Sequence, residues 1–189
     1  MTMGWIIAGI VVAIALYLVV VFNRLVRQRN VVREGWSGID VQLKRRTDLV
    51  PNLVEAVKGY AAHERSLFEE IASRRAASVA ASEVGAQANA ERALTGSLGK
   101  LMAVAEGYPD LKANQNFLEL QKELSEVEDH IQMARRYYNG AVRNLNISVQ
   151  SFPDVLVARP LGFQEAPFFE LDDRAEAAVP QVGFSGGAA

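Results

Sequence analysis

Between Met3 and Phe22 the chain carries no charged side chain, and most positions are Ile, Val, Leu or Ala. As a helix rising about 1.5 Å per residue, such a run spans roughly 30 Å, the thickness of a bilayer's hydrocarbon core. A core helix apolar on every face would need a larger domain around it than the remaining residues can build. A cleaved secretory leader would carry a basic start, a shorter apolar stretch and a small-residue cleavage site. Met1–Gly4 holds no Lys or Arg, and Phe22-Asn23-Arg24 is bulky and basic. Residues 1–23 are therefore read as a membrane anchor, single-pass, with Trp5 and Tyr17 as interfacial residues.

The flanks give the anchor a direction. Arg24, Arg27, Arg29 and Arg33 follow the run, and Glu34 is the first acid. An excess of Lys and Arg marks the cytoplasmic side, so the expectation is an N-terminus outside and the rest of the chain in the cytoplasm. The same arginines suit anionic headgroups, at about 1 kcal/mol per basic residue near the surface. The net charge of −2 gives no reason to expect a nucleic-acid partner. The chain has no cysteine, which excludes disulfides, thiol catalysis and Cys-based zinc sites.

Beyond the anchor the pattern is helical throughout. Trp36, Ile39, Leu43, Arg46, Val50, Leu53, Val57 and Tyr60 recur at spacings of three and four, a heptad seam whose one charged member is Arg46. Pro51 lies inside it and is expected to kink the helix, or to restart it with Asp48 near a new N-cap. Gly59–His63 reads as a turn. A second helix is expected from Glu64 to about Ser82, and a break near Ser82–Asn89, before the stripe Leu94, Leu98, Leu101 and Ala105. Tyr108-Pro109-Asp110 is a turn with Asp110 as a cap. Phe117, Leu120, Leu124, Val127, Ile131, Ala134, Tyr138, Ala141, Leu145, Ser148 and Phe152 then form the longest stripe, ended by Pro153. The expected fold is all-α: a transmembrane helix followed by an antiparallel three- to four-helix bundle over residues 24–153. Phe163, Phe168 and Phe169 mark a segment, residues 154–173, expected to pack back on the bundle. Residues 174–189 are expected to be disordered.

Several words of the sequence occur together in a known order. They include Trp36-Ser37-Gly38-Ile39-Asp40, Asp48-Leu49-Val50-Pro51-Asn52-Leu53-Val54, Val57-Lys58-Gly59-Tyr60 and Tyr108-Pro109-Asp110-Leu111-Lys112. Ala134-Arg135-Arg136-Tyr137-Tyr138-Asn139, Phe152-Pro153 and Gly162-Phe163 complete the set. On these the chain resembles the bacterial LemA family from the anchor to about Phe169, departing at Tyr138, where one Tyr before Asn139 would suffice. The resemblance implies a single-pass anchor in the bacterial cytoplasmic membrane with a cytoplasmic helical bundle. One branch of that family is associated with magnetosome membranes. The resemblance carries no catalytic set and no cofactor.

The residues themselves suggest little catalysis. His63-Glu64 would need a second histidine four residues on to make a zincin-like site, and that position is Leu67. Lys44-Arg45-Arg46 points in three directions on one helix, which spreads the charge into a solvated face. Gly96 and Gly99 lie in a helical stretch without a preceding strand. Arg46 is different, because a guanidinium in the seam is costly unless paired. Antiparallel length-matching brings it opposite Glu123, Glu126, Glu128 and Asp129, so a structural ion pair fixing helix register is expected. No catalytic, cofactor or metal residues are assigned. Three functions stay open: a non-enzymatic scaffold or adaptor binding a protein partner or itself, a module engaging anionic lipid of the bilayer, and an enzyme or sensor using a polar site in the bundle core.

Overall fold

A computed structural model describes residues 2–170. Among these, every regular element is a helix: α1 Thr2–Lys58, α2 Arg65–Ala80, α3 Val84–Glu106, α4 Pro109–Lys112, α5 Gln115–Gln150 and α6 Val155–Ala158. The expected disorder of residues 174–189 lies outside the described residues.

α1 is one helix from the apolar run to the far end of the bundle, and α5 packs antiparallel along it. Gln28 Nε2 donates to Ser148 Oγ at 2.9 Å, Gly35 faces Tyr138, and Arg46 reaches Glu128. The register of the pair is thus constant along its length. At Gly35 a Cβ would lie 3.1 Å from Tyr138 Cα and 3.2 Å from Tyr137 Cδ1, so only glycine allows this approach of the two helices. α2 and α3 form an antiparallel hairpin against the far half of α1.

α1 runs through Pro51 as one helix, so the alternative in which Pro51 restarts the helix with Asp48 near a new N-cap is not found. Proline has no N–H, so the carbonyl four residues earlier, Thr47 O, loses its helical donor. Arg75 of α2 replaces it, donating from Nε at 2.7 Å. Asp110 is likewise not the cap of the last long helix. Asn114 is, its Oδ1 accepting from the backbone N–H of Asn116 and Phe117 at 3.0 and 3.3 Å. The mid-chain break is confined to Ala81–Glu83, and Gln87 and Ala88 are already buried residues of α3.

The interior falls into two apolar clusters. The first runs from Val21 and Leu25 to Ile39 and Leu43 on α1, with Val127 to Val149 on α5, and closes on Val157, Phe163 and Phe169. The second joins Val50, Leu53 and Val57 to Leu67, Ile71, Leu94, Leu101, Leu111, Phe117 and Leu124. Each fully buried Leu, Ile or Phe contributes about 1.5–3 kcal/mol to folding before entropy is counted. Two expected core members are outside. Tyr60 is 41 % and Phe152 81 % exposed, because each heptad pattern runs on past the end of its own helix, α1 at Lys58 and α5 at Gln150.

Candidate functional site

On α1 the two apolar clusters meet between Leu43 and Val50, and on α5 between Leu124 and Val127. Arg46 stands at that junction, fully buried. Its Nη2 pairs with Glu91 Oε2, and its Nη1 donates to Glu128 Oε1 at 2.7 Å and to Thr95 Oγ1 at 2.9 Å. Glu91 is also fully buried; its second oxygen accepts from Ser78 Oγ and from Gln87 Nε2, the latter at 2.6 Å. One guanidinium and one carboxylate therefore link α1, α2, α3 and α5. Breaking such a pair by removing one partner costs about 3–5 kcal/mol, because the other charge stays buried.

An open cleft of about 280 Å³ lies beside the junction, between Asp40, Lys44 and Thr47 on α1 and Arg75, Ser78 and Gln87 on the hairpin. Its charges are mixed. The polar atoms nearest the interior are committed: Ser78 and Gln87 to Glu91, and Arg75 to Thr47. No group of three or more metal-ligating side chains occurs among the described residues. His63 is exposed, with Nε2 3.1 Å from Tyr108 Oη and 3.6 Å from Glu64 Oε1. The arrangement is suited to holding helices in register.

The four arginines beyond the apolar run have separate surroundings. Arg24 pairs with Asp154, which also accepts from Tyr17 Oη at 2.8 Å. The Arg29 guanidinium sits 5.1 Å from the Phe163 ring centre, a cation–π contact. Arg27 and Arg33 are exposed on α1.

The segment after α6 returns along the α1–α5 pair. Gly162, at φ 74°, makes the turn that a side chain would strain, and Phe163 and Phe169 are buried while Phe168 is 40 % exposed. Two carboxamides of α5 hold its backbone. Asn146 exchanges paired hydrogen bonds with Ala166 N and O at 2.8 and 2.9 Å, and Asn139 does the same with Phe169 at 2.9 and 3.0 Å. The spacings match: seven helical residues and three extended ones each cover about 10 Å. Tyr138 donates to Pro167 O at 2.8 Å and its ring packs against Trp36 at a tilt of 59°; its burial pushes the phenol pKa up.

The profile of the LemA family matches residues 35–184, from the Gly35 contact through the polar junction and the Asn-held segment. The chain belongs to the LemA family. It is similar to magnetosome protein MamQ 2 of Paramagnetospirillum magneticum, at 28 % identity over 186 residues, covering 85 % of this chain and 68 % of the relative. MamQ of Magnetospirillum gryphiswaldense shares 26 % over 184 residues, covering 84 % and 68 %. Protein LemA of Metamycoplasma hominis shares 26 % over 158 residues, covering 80 % and 69 %.

In this LemA-family chain, reading the sequence left out Glu91, Gln87 and Ser78, and the holding role of Asn139 and Asn146. A signal for the first group is present. Extending the stripe Leu94, Leu98, Leu101, Ala105 backwards at its own spacing lands on Glu91 and Gln87. The two asparagines stand one heptad apart on α5, where helix propensity gives no reason for them.

Proposed function

We propose that this chain is a membrane-tethered, non-enzymatic helical scaffold whose bundle binds a protein partner or a second copy of itself at the membrane face. What carries the reading is that α1 serves both parts. Its apolar N-terminal portion is long enough to cross a bilayer, and only 6 % of the most apolar window is buried within the protein. The same helix then supplies Ile39, Leu43, Val50 and Leu53 to the bundle core. A bundle built on its own anchor is held at a set height and tilt above the membrane, as a scaffold requires. The bacterial relatives fit a bacterial membrane protein. The arginines on the bundle side favour the orientation with the N-terminus outside.

Val41, Met133 and Tyr137 are about half exposed on the α1–α5 pair, with Val41 and Met133 at one level of its register. They are the positions at which to look for a partner. A photo-crosslinking residue at each, in the full chain in its native membrane, should give a discrete adduct, at twice 20.7 kDa for self-association. Absence of any adduct from all three positions, with the protein inserted and folded, would remove the binding role.

A further inference from the structure

The corner between α5 and α6 lies beside the apolar run of α1, not below it. Asp154 bonds to Tyr17 and Arg24, Phe22 meets the Phe163 ring edge-on at 5.9 Å, and Val21 is 2 % exposed. The corner therefore overlaps the run from Tyr17 to Phe22, about 7 Å of helix. At this level it turns its largest apolar side chains outward: Phe152 is 81 %, Leu156 66 % and Leu161 53 % exposed. Its buried acid, Asp154, is already paired, so the corner brings no bare carboxylate with it. Arg159 is exposed on the same corner, a cation suited to phosphate headgroups.

We propose that this corner is a second membrane contact: Phe152, Leu156 and Leu161 insert into the headgroup–acyl boundary of the leaflet on the bundle's side. The occupant is the lipid around α1 itself, because the corner overlaps the part of α1 that the bilayer surrounds. Interfacial segments bury their apolar faces by about 5–10 Å, which the overlap of the corner with the run matches. The proposal rests on the reading that Met3–Phe22 spans the membrane. Two attachments, one through the bilayer and one into its surface, would fix the bundle's rotation about α1 as well as its height.

The chain has no cysteine, so single labels are unique. The full chain is reconstituted at low density in phosphatidylcholine–phosphatidylglycerol vesicles with a nitroxide at Val12→Cys, Leu156→Cys or Ala62→Cys. Accessibility to oxygen and to a water-soluble nickel chelate gives the depth of each. Expected are a deep Val12 label, a Leu156 label at the acyl boundary and a water-exposed Ala62 label. A deep Val12 label with Leu156 as wet as Ala62 overturns the second contact and leaves the span standing. A wet Val12 label overturns the span, and the second contact with it. A label at Ser151→Cys separates lipid from protein as the cover. In a Phe152→Ser/Leu156→Ser/Leu161→Ser background its nickel accessibility should rise several-fold; a label shielded equally in both backgrounds, or from both reagents, overturns the lipid contact.

Discussion

Replacing Arg46 by Met keeps the length of the side chain and removes its charge. Glu91 would then stay fully buried with Ser78 and Gln87 as its remaining donors, while Glu128, about a third exposed, can turn to solvent. The loss therefore falls on one carboxylate, at about 3–5 kcal/mol. For a chain of this size each kcal/mol moves the midpoint by about 2–4 °C, so Arg46→Met should melt roughly 6–20 °C lower. Changing Glu91 to Met as well removes the stranded charge, and Arg46→Met/Glu91→Met should recover most of the loss. The assay is thermal unfolding of the full chain in one detergent, followed by circular dichroism, for both single variants and the double. If Arg46→Met melts with the parent, or if the double variant loses the sum of the two singles, the pair does not hold the helices as described.

The same logic applies at Pro51, where Arg75→Ala should cost about 1.5–3 kcal/mol by leaving Thr47 O without a donor, and much less in a Pro51→Ala background that restores the helical N–H. Equal costs in the two backgrounds would refute the substitution of Arg75 for the missing donor. A Cβ at Gly38 would meet open space, so Gly38→Ala should gain about 0.5–1 kcal/mol, whereas Gly35→Ala, blocked by the Tyr138 backbone, should not gain and should fall at least about 1 kcal/mol below it. Matching gains in denaturant titrations would deny the close approach. Glu70 is held below its ordinary carboxylate pKa by hydrogen bonds from Lys100 and then Ser97. A depressed folded-state pKa gives stability that is present above the unfolded value and lost as pH falls through the folded one. Acid titration should therefore show a shallower loss in Glu70→Gln than in the parent, and identical slopes would count against the contact.

What the sequence disclosed follows from how local each determinant is. The apolar run and the α1 and α5 stripes depend on spacing along single helices, which residue order records; matching helix lengths brought Arg46 opposite the group Glu123, Glu126, Glu128 and Asp129, and only the structure selects Glu128. Glu91 was hidden because α3 opens in an Ala- and Ser-rich stretch whose polar seam looks like a thin helix end. The passage of α1 through Pro51 depends on Arg75, from a different helix, and no spacing rule connects the two. Tyr60 and Phe152 show the converse: the spacing continues after the helix itself has ended, so the pattern does not mark the helix boundary. The arginines after the run looked alike, yet Arg24 meets Asp154 and Arg29 meets Phe163, contacts made only when α6 returns to α1.

That one unbroken helix is both membrane span and bundle strut can be read by amide hydrogen exchange on the full chain in lipid nanodiscs. Slow exchange should continue from the apolar run through Asn23–Gly35 and on to Val57, with no fast-exchanging interval between. A fast interval across Asn23–Gly35 would mean a hinge there, and a bundle that swings free of its anchor.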